Sequence, residues 1–451
     1  MKKALNLNYL LALLLLVIIV FFAYMPASKL FFRNDDWDLA KVLESKLHNL
    51  NDFLHYLIYY NGDLQIRHFV PISLGTTALE YLVFGNTFQL HYYFSLFLHL
   101  CNILLVYFVC FKIYPNRKTA LASSILFASS NVYADTIFWT LQITYIHITT
   151  YTLISIFLHP ALNKSATRVS NILFYIFTGL APFVYELGFI TILLSIAMLV
   201  INKPIKIKQF IVLVIILMLP FLVKIMVKPI NAGVYFSGFS QLIYNIFIGC
   251  IKLLLGFLGA IFEIKVTDTL YILNPAFPTP LTIIAILFLL ITTFYTFKFI
   301  KNPSISRNLK TLCVIFFIVS LSPFFIASFA YHPSNPNPDL SHQMPRYFYF
   351  SAALISIPLA QIFVSNIQNN KFLIVFFIYI IFSGMFSVNS YINTLKPYTD
   401  DMKNAITVFE NTGKFPVREH YGTGVNSYRL DWSFNEESIK AYLKLSGSRR
   451  L

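Results

Sequence analysis

Residues 7–38 read LNYLLALLLLVIIVFFAYMPASKLFFRNDDWD, and this stretch decides the fold class. From Leu7 to Ala23 it carries no charged side chain, close to the ~20 apolar residues that cross a ~30 Å hydrocarbon layer. Immediately beyond, the chain turns polar and acidic, with Arg33, Asp35, Asp36 and Asp38. The run follows Lys2 and Lys3 and ends without a convincing small-residue cleavage site. It reads as a retained first span whose N-terminus faces the cytoplasm. Comparable runs recur, at 98–111 and 372–383 among others. Over 451 residues the chain is 57% apolar and only 12% charged, against about a quarter charged in soluble domains. That composition excludes a soluble globular enzyme and points to an all-α, polytopic membrane protein.

Lys and Arg exceed Asp and Glu by 15. In a polytopic chain such an excess belongs in the cytoplasmic loops that set topology, so nucleic-acid binding is disfavoured. Cys101, Cys110, Cys250 and Cys313 all fall inside apolar segments without C-x-x-C spacing. They read as small core residues, neither disulfides nor metal ligands.

With 7–25 crossing outward, hydropathy and the positive-inside rule thread the chain through about eleven crossings. Residues 26–89 form a long extracytoplasmic loop, and its second half, FVPISLGTTALEYLVFG, contains Pro71 and Glu80 and reads as a helix lying along the outer surface. The segment 90–112 returns and delivers Lys112, Arg117 and Lys118 to the cytoplasm. The pairs 119–134 with 142–159 and 170–185 with 187–201 follow. Then 209–227 runs out, 281–299 in, 311–329 out, 347–365 in and 371–389 out. The segment 241–262 is long enough to cross, but a crossing there would reverse the basic loop around Lys301 and Arg307; it is placed as re-entrant or interfacial. Residues 1–389 are thus the membrane domain, and 390–451 a small extracytoplasmic appendage, too short for a sizeable core. No fixed-period repeat and no Gly-rich phosphate loop is visible.

Ionisable residues near the hydrocarbon layer carry the functional information, since a charge at midplane costs about 2.5–3.5 kcal/mol on a lenient scale. Here they gather on the outer side. Asp35, Asp36 and Asp38 follow the first span, Arg67 and His68 precede the interfacial helix, and Glu186 sits at an outer turn. Arg346, with His332 and His342 nearby, precedes a span that begins outside. Loops collect polar residues for solvation alone, yet Glu186 lies in APFVYELGFITILL with almost nothing else polar around it. A buried acid needs a reason. His91, Ser95, His99 and Asn102 share one helical face. Ser95 and Asn102 read as groups that bond helices together, and His91, at the outer end, as a cavity residue. His147 and His159 read as packing or interfacial residues. Asp135 and Trp139, in NVYADTIFWT, lie at an outer boundary where Trp anchors to the interface and Asp135 is also able to face the cavity. Lys224 and Lys252 would suit a transporter, although both are able to snorkel.

Four stretches, in this order, resemble the membrane-embedded GT-C glycosyltransferases that use a lipid-phosphate sugar, especially the protein O-mannosyltransferase and related bacterial branches. The first is RNDDWD at 33–38, after the first span. The second, RHFVPISLGTTALEYLVFGNTFQLHYYFSLFLHLCNILLVYF at 67–108, is similar to the family's Arg-Pro turn, Gly-ended interfacial helix and His-rich second span. The third is LASSILFASSNVYADTIFWTLQITY at 121–145, with YELGFITILL after it at 185–194. The fourth, MPRYFYFSAAL at 344–354, looks like the Arg-Tyr motif that opens a late span. The resemblance covers most of 1–200 and a patch near 346. Two departures stand out: Tyr185 occupies a place where lysine is frequent, and His68 separates Arg67 from the proline turn.

The resemblance implies transfer of a sugar from a polyprenyl-phosphate carrier to a protein, lipid or glycan acceptor at the outer face, with inversion at the anomeric carbon. Asp35 or Asp36 would be the base, Asp36 taken first. Arg346 would hold the departing phosphate, with Arg67 second. Glu186 would orient Arg346 or bind sugar hydroxyls, and His68, His91 and Tyr347 complete the expected donor-binding set. No cofactor is expected: Asp35, Asp36, Glu186 and histidines are potential ligands for a divalent metal, but no tight spacing requires one. Two other readings share parts of the pattern, a polysaccharide polymerase or ligase acting on lipid-linked chains and a transporter or flippase for lipid-linked sugars. The transporter calls for ionisable groups near midplane and two related halves. The abundance of Lys, Asn, Ile and Phe suits an AT-rich bacterial genome, hence a bacterial cytoplasmic membrane with the active site extracytoplasmic.

Overall fold

A computed structural model describes residues 7–32, 35–46, 51–52, 70–162, 167–201, 207–227, 239–257, 262–266, 271–275, 279–303, 305–327, 345–367, 370–415 and 435–447. Helices cover most of each expected span, 119–134 ending its helix at Ser129 and 311–329 divided between Arg307–Ser320 and Ser322–Ala327. Among the described residues the only strands are a two-stranded antiparallel hairpin, Phe262–Val266 with Tyr271–Pro275. Among the described residues five helices reach the length and apolarity of a full crossing: Leu7–Lys29, Phe88–Ile113, Arg307–Phe325, Phe348–Asn366 and Leu373–Thr412. Shorter apolar helices, among them Ile143–Leu158, Arg168–Val184 and Gly188–Ile201, complete a multi-pass membrane bundle.

The centre of that bundle is the helix Pro345–Asn366, which packs against Phe88–Ile113, Arg117–Ser129 and Ile143–Leu158. The reason is compositional. Arg117–Ser129 is rich in small residues, with Ala120, Ala122, Ser123, Ser124 and Ala128 all buried, and small residues let helix backbones approach closely where lipid offers no hydrophobic drive. Hydroxyls and amides then bond across the contacts: Ser123 to Ser356 at 3.2 Å, Thr119 to the Gln361 side-chain Oε1 at 3.2 Å, and Ser124 to the Ile103 backbone carbonyl at 3.1 Å. A second seam lies deeper. Asn102 donates to the Tyr349 hydroxyl and to the Ile146 carbonyl, both at 3.2 Å, and accepts from Thr150 at 2.9 Å, while His99 meets the same Tyr349 hydroxyl at 2.8 Å. Asn102 thus bonds helices together, as its place on the polar stripe implied.

The helix ends sort by charge. One end carries Lys112, Arg117, Lys118, Arg168, Lys298, Lys301, Arg307 and Lys310, and its helices start from side-chain caps: Asn116 accepts from Lys118 and Thr119, Ser306 from Leu309. The other end holds Asp36, Glu80, Asp135 and Glu186. Arg117–Ser129 is too short to reach a far surface; the chain leaves it through a buried turn at Ser130–Tyr133 and enters the short helix Ala134–Phe138. Non-helical backbone at membrane depth is tolerated where protein covers it. The acid end is therefore recessed into the bundle.

Two segments differ in form from the sequence expectation. The last span does not stop near 389 but continues as one helix, Asn370–Thr412, through Pro397. At 1.5 Å per residue it is about 64 Å long, roughly twice a hydrocarbon layer, so its second half stands clear of the membrane and the 389/390 boundary falls inside it. Lys403 donates to the Lys29 carbonyl at 2.9 Å and fastens this overhang to the end of the first span. Of the 241–262 segment, the part up to Phe257 lies in the helix Phe239–Phe257, touched at Gly249 by Phe324 and at Gly256 by Ser130 and Val132. Residues 258–261 lie outside the described residues, and Phe262 opens a strand. Phe324 meets Phe348 at a tilt, and Tyr133 meets Tyr349 edge to face, at ring distances of 5.1 and 4.9 Å. Both contacts therefore lie near the first turns of Pro345–Asn366.

Gly384 marks the closest approach of the long helix to the rest: a Cβ at that position would press into the Ser129 carbonyl. Gly384→Val is expected to cost more than the ~1–3 kcal/mol typical of overpacking. The measurement is loss of the monodisperse peak after a heat challenge, with the outward-facing Phe386→Ala as the unaffected control.

Candidate active site

Asp36 sits in the first turn of the helix Asp35–Lys46, which follows the first span after a short connection, and it is 1% exposed. Burial begins with its neighbour: Trp37 packs into Phe31, Phe32 and Tyr442 at ring distances of 5.7, 6.2 and 5.6 Å. Tyr442 belongs to the helix Glu436–Gly447, which lies along Asp35–Lys46, and Lys444 pairs with Glu44 at 2.9 Å. The Asp-bearing helix also touches the turn Thr140–Gln142, bringing it beside the Asp135 hairpin.

Asp135 is buried, and the Tyr391 hydroxyl of the long helix donates to its Oδ1. A run of rings, Tyr24 to Phe138 at 5.6 Å and Phe138 to Tyr391 at 5.3 Å, joins the first span, the Asp135 helix and the long helix at one place. Glu186 is half-buried in the turn after Arg168–Val184, where Tyr145 bonds the Tyr185 hydroxyl at 2.8 Å. The tyrosine that stands in the lysine-frequented place is thus a tie between two helices. Around this end Tyr24 Oη, Thr136 Oγ1, Thr140 Oγ1 and Gln142 Oε1 are buried without a hydrogen-bond partner in the protein. Buried polar groups without partners are uncommon enough to need an explanation.

Of the sequence-predicted set, Asp36, Glu186 and His91 lie at this end with Asp135. Asp35 opens the same helix as Asp36, and Arg346 and Tyr347 fall by their backbone in the first turn of Pro345–Asn366, whose next residues, Phe348 and Tyr349, face Phe324 and Tyr133. Arg67 and His68 lie outside the described residues, as do His332 and His342. His91 is fully buried: its Nε2 meets the Gly85 carbonyl at 2.9 Å, its Nδ1 meets Glu80 at 3.3 Å, and Phe32, Tyr81 and Phe84 enclose the ring. Gly85 ends the helix Pro71–Phe84 at φ 59°, a conformation suited to glycine. His91 therefore pins the end of that helix to the second span.

Sequence reading passed over Thr136, Thr140 and Gln142, although polar side chains recurring in DTIFWTLQ were a usable signal. It also lacked Tyr391 and the Glu80 partnership, which no local pattern announces. Among the described residues no three His, Cys, Asp or Glu side chains converge on one point. An open cleft at the basic end, lined by Tyr9, Phe111, Pro115, Asn116, Arg117 and Lys118, offers no carboxylate or imidazole for proton transfer.

No protein-family model matches the chain, and no curated protein sequence does. Solved structures do. The oligosaccharyltransferase of Archaeoglobus fulgidus in the apo form superposes with a TM-score of 0.51 at 14% identity, over 96% of this chain and 63% of its own. The same organism's AglB, in complex with an inhibitory peptide and a dolichol-phosphate, gives 0.50 at 13% identity, over 96% and 64%. ArnT from Cupriavidus metallidurans, bound to undecaprenyl phosphate, gives 0.51 at 10% identity, over 98% of this chain and 85% of ArnT. The chain thus spans less than two thirds of the oligosaccharyltransferase length. At these identities the likeness is one of fold alone, and the fold shared is that of a multi-helix bundle.

Burial raises the Glu80 carboxyl above its ordinary pKa, and His91 only partly opposes the shift. A raised folded-state value favours the protonated form, so this contribution to stability is complete below the unfolded carboxylate pKa, near 4.3, and is lost as pH rises through the folded value. Glu80→Gln, which keeps the shape without the charge, is expected to match wild type near pH 4 and to exceed its melting temperature at pH 7 to 8. Scanning fluorimetry across pH 4 to 8 reads the crossover. Separately, Tyr391→Phe removes a charge-assisted hydrogen bond and is expected to lower stability by ~1.5–3 kcal/mol, measured as the shift in thermal midpoint.

Proposed function

We propose that the protein is an inverting membrane glycosyltransferase that moves a sugar from a polyprenyl-phosphate carrier to an acceptor at the extracytoplasmic face. The observation that carries this reading is a buried carboxylate, Asp36, directly after the first span, at the same recessed end of a GT-C-like bundle as Asp135, Glu186 and the start of Pro345–Asn366. Two solved structures of like fold hold a polyprenyl-type phosphate, undecaprenyl phosphate in one and dolichol-phosphate in the other. The basic end, with its lysines and arginines, faces the cytoplasm on the positive-inside rule, which puts the acids outside.

The chemistry follows from the groups at that end. Asp36, or its neighbour Asp35, takes the proton of the acceptor hydroxyl as its oxygen bonds to the anomeric carbon. The bond from that carbon to the phosphate oxygen breaks, and its electron pair leaves with the polyprenyl phosphate. Arg346, aided by Arg67, meets the growing charge with a planar fork of donors, more strongly in the transition state than before it. Glu186 and the unpartnered Thr136, Thr140 and Gln142 groups hold sugar hydroxyls. The carrier's tail stays in lipid between helices. Attack opposite the leaving phosphate gives inversion. The acids at one end also separate this reading from a transporter, whose ionisable groups would line a midplane path.

The test is sugar transfer by purified full-length protein carrying Asp36→Asn or Asp35→Asn, with carrier binding measured alongside. Loss of transfer by at least ~10²-fold in one variant, with carrier binding retained, is the expected result. Undiminished transfer in both variants would remove the assignment. Envelope glycans and lipid-linked sugars from a deletion strain, compared by mass spectrometry, identify the sugar and acceptor.

A further inference from the structure

The helix Glu436–Gly447 docks on Asp35–Lys46 from the far end of the chain; Lys444 and Glu44, which pair across the two, are 400 positions apart. Its sequence accounts for the docking. The Ser438 amide donates to Asn435 Oδ1 at 3.0 Å and the Asn435 amide to Ser438 Oγ at 2.7 Å, a reciprocal cap that fixes where the helix starts. Ser438, Ile439 and Ala441 are buried and Tyr442 partly so, while Glu436, Glu437, Lys440 and Lys444 are exposed, so one face is committed to protein. The Lys444–Glu44 pair lies at the surface and contributes little. Tyr442 is where the helices lock: its ring lies 5.6 Å from Trp37, 5.6 Å from Phe31 and 6.3 Å from Phe32. The Asn86 side-chain amide donates to the Tyr442 carbonyl at 3.2 Å and ties this turn to the end of Pro71–Phe84. Lys403 of the long helix lies 5.6 Å over the Phe31 ring. Burial, with the Glu410 charge adding to it, pushes the Tyr442 phenol up to about 12, so it stays protonated at neutral pH and is no rival proton acceptor.

We propose that Tyr442 is a positioning residue for the catalytic acids: its ring closes a clamp with Phe31 and Trp37 that sets the angle of the helix turn carrying Asp35 and Asp36. The proposal rests on the glycosyltransferase reading above. A 12-residue helix is marginal in isolation, so packing decides its orientation. Trp37 and Asp36 are consecutive and leave the helix about 100° apart, so the grip on the buried indole directs the neighbouring carboxylate. A base must come within hydrogen-bond reach of the proton it takes, and a misplacement of about 1 Å is able to cost ~10²-fold in rate. The C-terminal helix is therefore a working part of the extracytoplasmic site.

Two measurements on purified full-length protein in nanodiscs test this. The first is labelling of Asp36 by a water-soluble carbodiimide with an amine nucleophile, read by peptide mass spectrometry. Tyr442→Ala is expected to label at least tenfold faster than wild type, and Tyr442→Phe, which keeps the ring, to stay within threefold. The second is transfer from a C55 polyprenyl phosphate bearing the sugar identified in the deletion strain. Here Tyr442→Ala is expected to lose kcat at least tenfold with KM for the carrier within threefold, and Tyr442→Phe to restore kcat to within threefold. Unchanged labelling in Tyr442→Ala overturns the proposal, as does a rise in KM that matches the fall in kcat, the mark of a merely structural role. Tyr442→Leu, which keeps bulk without the planar ring, repeats both comparisons should the Ala variant fail to purify as a single species. Failure of the underlying reading looks different: Asp35→Asn and Asp36→Asn would then both leave transfer intact, whereas failure of this proposal alone leaves one of them inactive and Tyr442→Ala active.

Discussion

Hydrocarbon does not solvate charge, and that constraint organises this protein. With 12% charged residues in 451, nearly every ionisable group has had to find a helix end, a protein-lined recess or a partner. Lys112, Arg117, Lys118 and Arg307 collect at one end, where caps such as Asn116 and Ser306 start the helices, and Lys112 folds its chain over the Phe157 ring with its ammonium 4.5 Å from the centroid. The carboxylates collect at the other. Because the Arg117–Ser129 helix is short and ends in a buried turn, that second end is hollowed into the bundle, which desolvates Asp36 and Asp135 without setting them in lipid.

The core that holds the recess open is built from small residues and hydrogen bonds more than from bulk. In a membrane, apolar side chains gain nothing by leaving lipid for protein, so close backbone approach and bonds such as Asn102 to Tyr349 fix which helices meet. The same seam carries function indirectly. Tyr349 stands three residues after Arg346, and its bonds to His99 and Asn102 set the height of that helix start relative to the acids. Aromatic contacts do the equivalent for the first span, where Tyr24 joins His99 and Phe138 at 5.6 Å each. A shared fold at 10–14% identity to solved structures is intelligible on these terms, because such seams depend on residue size and polarity at a few positions.

The membrane class, the helix positions and the side on which acids gather were legible in the sequence. Runs such as 7–23 announce themselves by length, and the basic loops around Arg117 and Arg307 announce which ends share a side. Asp36 and Glu186 were legible as candidates, since an acid in apolar surroundings is conspicuous. Less was legible about His91. Its place on the polar stripe is correct, but only the fold shows that Glu80 and the Gly85 carbonyl take both its ring nitrogens. The continuation of the last span to Thr412 was hidden because Pro397 and the acidic pair Asp400 and Asp401 look like an ending, whereas helix packing along the first span's overhang and the Lys403 bond to Lys29 sustain it.

By itself the sequence determined what each segment must do with respect to lipid, because hydropathy and charge are local properties that every residue carries wherever it ends up. Only the tertiary structure decided which segments meet. The bond from Tyr391 to Asp135 spans 256 positions, and Gly256 meets Ser130 and Val132 from a distant part of the chain. Such choices are made by close fit among helices that hydropathy treats as equals, so no reading confined to neighbouring residues contains them.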